Sequence, residues 1–197
     1  MRKGNYLPAL LRSKKTVLTS KDIALLWQEA GSSAARVRIN YYVKKGDLYR
    51  IRKGLYSKNK DYNKWALATR VFTPSYVSFE TVLAREGLIF QYYSQIMVAS
   101  YLTRELRIDG QVYVFRQVKH EVLINTLGVE HVDETSTAAK ERAFLDSLYV
   151  HADYHFDNLK PLDWELVFRL LPLYDNKRVT KNVHALWKQN AHGEATP

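Results

Sequence analysis

Arg36, Val37, Asn40, Tyr41 and Lys44 recur at the three- and four-residue spacing that gathers side chains on one face of a helix, with Ser32 and Ser33 one turn earlier. An arginine fork matches the O6/N7 edge of guanine, and an asparagine amide matches the N6/N7 edge of adenine. Such a set can read base edges in a major groove. Behind it runs Lys44-Lys45-Gly46-Asp47-Leu48-Tyr49-Arg50-Ile51-Arg52-Lys53-Gly54-Leu55-Tyr56, a cationic stretch with the period of a strand, broken at Gly54 and returning through Leu55-Tyr56. Arg50, Arg52, Lys53 and Lys58 are placed as phosphate or minor-groove contacts, with Lys45 beside them and Arg38 on the helix border.

A helix must carry the first set and a hairpin the second. Ser32 or Ser33 can cap a helix that runs to about Lys45, where Gly46 supplies the stop. Ala35, Ile39 and Tyr42 would form its inner face. They need partners, and two earlier segments offer them: Tyr6 to Lys14, with Leu7, Leu10 and Leu11 on one face, and a helix capped by Thr19 or Ser20 that carries Ile23, Ala24, Leu26 and Trp27 and stops at Gly31. Three helices and a hairpin make a winged helix-turn-helix, whose second motif helix enters the major groove.

Charge is concentrated where this arrangement needs it. The formal net charge is +10, yet residues 1–60 hold fifteen Lys/Arg against Asp22, Glu29 and Asp47, a net +12, while the other 137 residues hold 15 basic and 17 acidic groups, a net −2. A front third this basic points to a polyanion. A merely solvated charged face and a three-helix module that binds protein are the plainer alternatives. RNA fits less well, because no aromatic sheet signature or Gly-x-x-Gly clamp is present.

Other chemistries find little support. The chain has no cysteine, which excludes disulfides, thiolate zinc sites and cysteine nucleophiles. Gly31-Ser32 is the dipeptide that opens a nucleotidyltransferase site, but no Asp-x-Asp follows, and a helix cap explains it better. Asp175-Asn176-Lys177 is the nearest string to a metal nuclease and sits between expected helices. His151, Asp153, His155 and Asp157 would gather two imidazoles on one face if helical, but Tyr154 and Phe156 interrupt them and no fourth ligand is evident. No enzyme activity, cofactor or metal is expected. The apolar stretch from Tyr6 to Leu11 is too short for a signal-peptide core, and no run approaches the roughly 18 residues a membrane helix needs, so a cytoplasmic protein is expected.

Two modules suit 197 residues of this composition: a winged helix-turn-helix over 1–60 and a mixed α/β domain with a small antiparallel sheet over 61–197, an α+β protein overall. Lys58 to Asn63 reads as a linker, and a helix over Trp65 to Phe72 ends at Pro74. Ser75 to about Glu86 reads as a helix, and 96–101, 104–108 and 111–118 as strands, the last two joined by Asp109-Gly110. Three more helices follow: Thr137 to Val150 with Lys140, Glu141 and Arg142 outside, one capped by Asp163 and closed by Pro172, and Asn176 to Gln189. Tyr92, Tyr93 and Tyr149 read as core or interface residues.

The segment Val43 to Tyr56 resembles the corresponding stretch of AbiEi-type antitoxins, transcriptional regulators of bacterial toxin-antitoxin pairs. Tyr76-Val77-Ser78-Phe79-Glu80-Thr81-Val82-Leu83 is similar to the family's segment after the wing, and Ala138 to Asp146 to the helix after its central strands. The resemblance spans residues 6–190 and rests on the order of the three segments. It implies a repressor that binds inverted repeats upstream of its own operon through the winged helix, with a C-terminal domain for repression and toxin neutralisation; one chain offers one reading helix, so two copies per operator are expected. It also implies a nucleotidyltransferase toxin as operon companion and a role in phage defence. Many family members are longer, which leaves room for a shortened C-terminal domain here. A protein-interaction adaptor, or a winged-helix regulator unrelated to a toxin, is the alternative.

Overall fold

In the computed structural model, which describes residues 6–29 and 33–193, the chain divides into two compact units, 1–71 and 72–197. The first unit begins with α1 (Tyr6–Arg12). Leu10 is buried but Leu11 is exposed, because neighbours on a helix point about 100° apart and this short helix buries one stripe. Strand β1 (Val17–Thr19) leads into α2 (Ser20–Leu26) through a capping box: Thr19 Oγ1 accepts from the Asp22 amide at 3.0 Å and Asp22 Oδ2 accepts from the Thr19 amide at 2.9 Å. The expected Gly31 stop and Ser32 cap lie outside the described residues; α3 runs Ser33–Lys45. Gly46 follows with φ 85°, the left-handed turn that ends a helix.

Strands β2 (Tyr49–Arg52) and β3 (Leu55–Ser57) form the hairpin, and the sheet order is β1-β3-β2, all antiparallel. A register shift between Arg50 and Arg52 changes the expected alternation. Leu48 lies before the strand, its amide donating to the Tyr42 carbonyl at 3.3 Å, and both Leu48 and Ile51 are buried while Arg50 faces solvent. Leu10, Leu18, Ile23, Trp27, Ala35, Ile39, Leu48 and Tyr56 share one core. Residues 58–63 are tied down: Lys58 donates to the carbonyls of Leu11 and Ser13, the Asn63 amide donates to Thr16 Oγ1 at 3.0 Å, and Tyr62 is buried. Helix α4 (Lys64–Val71) then packs on β1, with Arg70 3.0 Å from Asp22, so it belongs to the first unit.

The second unit is built on β4 (Ser75–Val77), α5 (Phe79–Arg85), β5 (Ile96–Ser100), β6 (Arg104–Ile108) and β7 (Gln111–Gln117). It continues with α6 (His120–Ile124), β8 (Val129–Val132), β9 (Thr135–Ala138), α7 (Lys140–Val150), α8 (Trp164–Leu170), a 3-10 turn (Leu171–Tyr174) and α9 (Lys177–Gly193). The small antiparallel sheet expected here is a six-stranded mixed sheet, ordered β6-β7-β5-β4-β9-β8, with β5/β7 and β4/β9 parallel. Asp109 and Gly110, at φ 48° and 80°, form the tight β6–β7 turn. Two helical spans shorten. Ser75–Val77 is a strand rather than a helix start, since it pairs on both sides and is wholly buried, and Thr137-Ala138 closes β9 before α7 begins.

Arg142 is also not outside as expected. It is fully buried and donates to the carbonyls of Leu127 at 2.6 Å and of Val122, with Asp146 3.8 Å away. Asp146 accepts in turn from Tyr174 at 2.7 Å, Ser78 at 2.7 Å and Tyr76 at 3.2 Å. The buried charges are retained because nearly every lone pair and proton finds a partner. Glu141, equally buried, accepts from the Asp163 amide at 3.0 Å. Among the described residues, no helix is long and apolar enough to cross a membrane.

Candidate nucleic-acid interface

Helix α3 has two faces. Ala35 and Ile39 are buried and Tyr42 half-buried, whereas Ser33, Arg36, Val37, Asn40, Tyr41 and Lys44 are exposed. Val37 is 70% and Tyr41 58% exposed, large values for side chains that gain by burial, and Tyr41 is steadied by an edge contact on Tyr42. Ser32 lies outside the described residues. Beside this face Arg50, on β2, donates from Nη2 to Asn40 Oδ1 at 2.5 Å and lies 5.8 Å over the Tyr56 ring. The helix and hairpin are thereby pinned side to side by the two side chains best suited to a base and a phosphate.

The three acids of the first 60 residues sort the cations. Asp22 binds Lys15 at 2.7 Å and Arg70, Glu29 binds Arg38, and Asp47 binds Lys45 at 2.9 Å. Burial pushes the Asp22 carboxyl up, but the bonds from Lys15 and Thr19 and the charge of Arg70 outweigh it and hold the group below its ordinary value. The bond from Arg38 likewise holds Glu29 low, and the bond to Asp47 raises Lys45. Arg36, Lys44, Arg52 and Lys53 have no intramolecular partner among the described residues, and all but the half-buried Arg52 are exposed.

Three expected phosphate contacts are therefore engaged elsewhere. Arg38 is drawn to Glu29 and stacks 3.7 Å over the Tyr6 ring, whose hydroxyl donates to the same carboxylate at 3.0 Å. Its work is to lock α3 against α1. Lys58 caps the carbonyls at the end of α1, and Lys45 is half-neutralised by Asp47. Sequence reasoning missed these clamps. The scarcity of acids in so basic a segment is the signal that was available, since each lone carboxylate attracts a cation.

The other chemical strings disperse. Helix α7 ends at Val150, so His151 and His155 do not share a helical face; His151 contacts Arg116, and His155 is exposed, 3.9 Å from Asp157. No group of three or more His, Asp and Glu that could hold a metal occurs among the described residues. Asn176 Oδ1 accepts from the amides of Arg178 at 3.0 Å and Val179 at 3.2 Å, a helix cap.

Fold and face together define an α+β protein whose first unit exposes a basic helix beside a basic hairpin. Residues 5–57 match the family model described as transcriptional regulator, AbiEi antitoxin. That span holds α1 to β3, with the whole exposed face of α3 and the hairpin. The fold is similar to the crystal structure of the RV2827C protein from Mycobacterium tuberculosis, with a TM-score of 0.53 at 14% identity over 91% of this chain and 74% of that one. No curated protein matches the chain.

Proposed function

We propose that the chain is a sequence-specific DNA-binding repressor of the antitoxin kind. The observation that carries this is the row of unpaired donors Arg36 and Lys44 on the exposed face of α3, next to a hairpin whose Arg50 is fixed to Asn40. In this reading residues 6–57 act as a winged helix-turn-helix. Helix α3 enters a major groove, where Arg36 and Asn40 contact bases, Val37 and Tyr41 supply apolar contact, and Ser33 and Lys44 flank them. Arg50, Arg52 and Lys53 hold phosphates and fix register. The match of residues 5–57 to antitoxin regulators supports the same reading.

One unit offers one such helix, so an inverted repeat upstream of the operon takes two copies. A nucleotidyltransferase toxin is the companion gene product. The test is a mobility shift on the segment upstream of the protein's own operon, with random duplex as competitor. Retardation that random DNA of equal length abolishes as readily as specific DNA refutes the proposal, as does one protein per saturated duplex in native mass spectrometry.

A further inference from the structure

The second unit contains a cleft of about 490 Å³ that the DNA reading does not use. Its floor is Glu80, in the first turn of α5. Glu80 is 5% exposed; Oε1 lies 3.4 Å from Arg116, and Oε2 is buried without a hydrogen-bond partner. A buried carboxylate oxygen left without a donor is costly, and a ligand that brings an N–H recovers that cost. Arg116 does not fill the role, for its other nitrogen is turned to His151. Burial, then the neighbouring Arg116 charge, pushes the His151 imidazole down, so it stays neutral and accepts. Asp153 and Asp157 line the rim, so three carboxylates stand against one guanidinium, a net −2.

The walls are aromatic. Tyr93 and Tyr154 line the cleft, and Tyr154 is braced by Phe156 at 4.7 Å. Along the segment 89–93, Ile89, Gln91 and Tyr93 line the cleft, whereas Phe90 and Tyr92 point to solvent, 73% and 86% exposed. The Phe90 amide donates to Asp157 Oδ2 at 2.8 Å, which fixes this segment to the rim. Two large aromatic side chains left in water beside an acidic, tyrosine-walled recess are the composition of a protein interface with a cationic anchor.

We infer that this cleft receives an arginine side chain from a protein partner, with the guanidinium donating to Glu80 Oε2 between Tyr93 and Tyr154 and the partner's apolar surface resting on Phe90 and Tyr92. The planar cation suits the site better than lysine, because its face stacks on tyrosine while its edge donates in-plane. The acidic rim excludes nucleic acid here.

The test uses the full chain and acetyl-Leu-Arg-Leu-amide, followed by NMR. The peptide is expected to shift the signals of Tyr93, Tyr154 and Phe90. It should bind at least tenfold more tightly than its citrulline counterpart, and Glu80→Gln should remove that preference. Asp153→Asn, on the exposed rim, leaves the fold intact and should weaken binding several-fold, so the inference stays testable if the Glu80 variant misfolds. Equal affinity for the arginine and citrulline peptides overturns it, as does no shift at millimolar peptide, an unchanged preference in the Glu80 variant or an unchanged affinity in the Asp153 variant. Acetyl-arginine-amide binding as tightly as the tripeptide would make this a small-guanidinium site and would equally overturn the protein partner.

Discussion

The bond from Arg50 to Asn40 sets a measurable coupling between the helix and the hairpin. To grip adenine through both amide atoms, Asn40 must turn Oδ1 and Nδ2 to the base edge, yet in the free protein Oδ1 is directed at Arg50, 2.5 Å away. A bidentate Asn–adenine contact discriminates by about 1–3 kcal/mol. Releasing an exposed charge-assisted bond costs about 0.5–1 kcal/mol. The net effect of Asn40→Ala in the intact protein is therefore about 0–2.5 kcal/mol, and it should grow by about 0.5–1 kcal/mol in an Arg50→Ala background, where nothing has to be released. Arg50→Ala should lower the slope of log affinity against log salt by about 0.9, the signature of one lost phosphate contact, and Asn40→Ala should leave that slope unchanged. Fluorescence anisotropy on the operator with all four proteins, at about 50–200 mM salt, reads both quantities. If Asn40→Ala costs the same in both backgrounds, or more in the intact one, Asn40 holds Arg50 in place and does not compete with it for the base.

Other expectations follow from the same geometry. Arg36→Ala should cost about 1–3 kcal/mol on the operator and relax preference at one base, whereas Arg52→Ala should weaken specific and random duplexes alike, both seen in competition binding. Arg38→Ala should lower the melting temperature and leave the salt slope unchanged, because its charge is spent on Glu29 and Tyr6. Arg142→Ala should destabilise the second unit by about 3–5 kcal/mol in chemical denaturation, since it strands Asp146 in the core.

Acid should loosen the first unit. Asp22 and Glu29 are both held below their ordinary values of 3.8 and 4.5, so the stability they contribute is full above those values and is lost as pH falls through the lower folded-state values. Asp146 acts in the opposite sense: burial pushes it up, so the cost of its charge is relieved as pH falls. The indole N–H of Trp27, which donates to the Tyr6 carbonyl at 2.9 Å, reports the first unit by NMR. Asp22→Asn should flatten the loss of that signal below about pH 4; an unchanged acid midpoint would show that the carboxylate clamps do not hold this unit.

The local features of the site are legible in the order of the amino acids. The spacing of Ala35 and Ile39 against Arg36, Val37, Asn40 and Tyr41 fixes which side of α3 is buried, Thr19 with Asp22 fixes a helix start, and Asp109-Gly110 fixes a turn, because each depends on residues within one or two turns of chain. Which cations are free was decided by tertiary structure. Arg38 and Arg36 are two residues apart and chemically identical, but only Arg38 comes within reach of Glu29 and Tyr6 when α3 packs on α2. The second unit shows the same division. Ser75–Val77 carries no alternation, and its strand exists only because β5 and β9 supply partners on either side. Arg142 and Glu80 look like surface residues in the sequence and are buried in the fold, since a long polar side chain can be taken inside wherever distant carbonyls or charges meet it, and that meeting is set by packing between segments far apart in the chain.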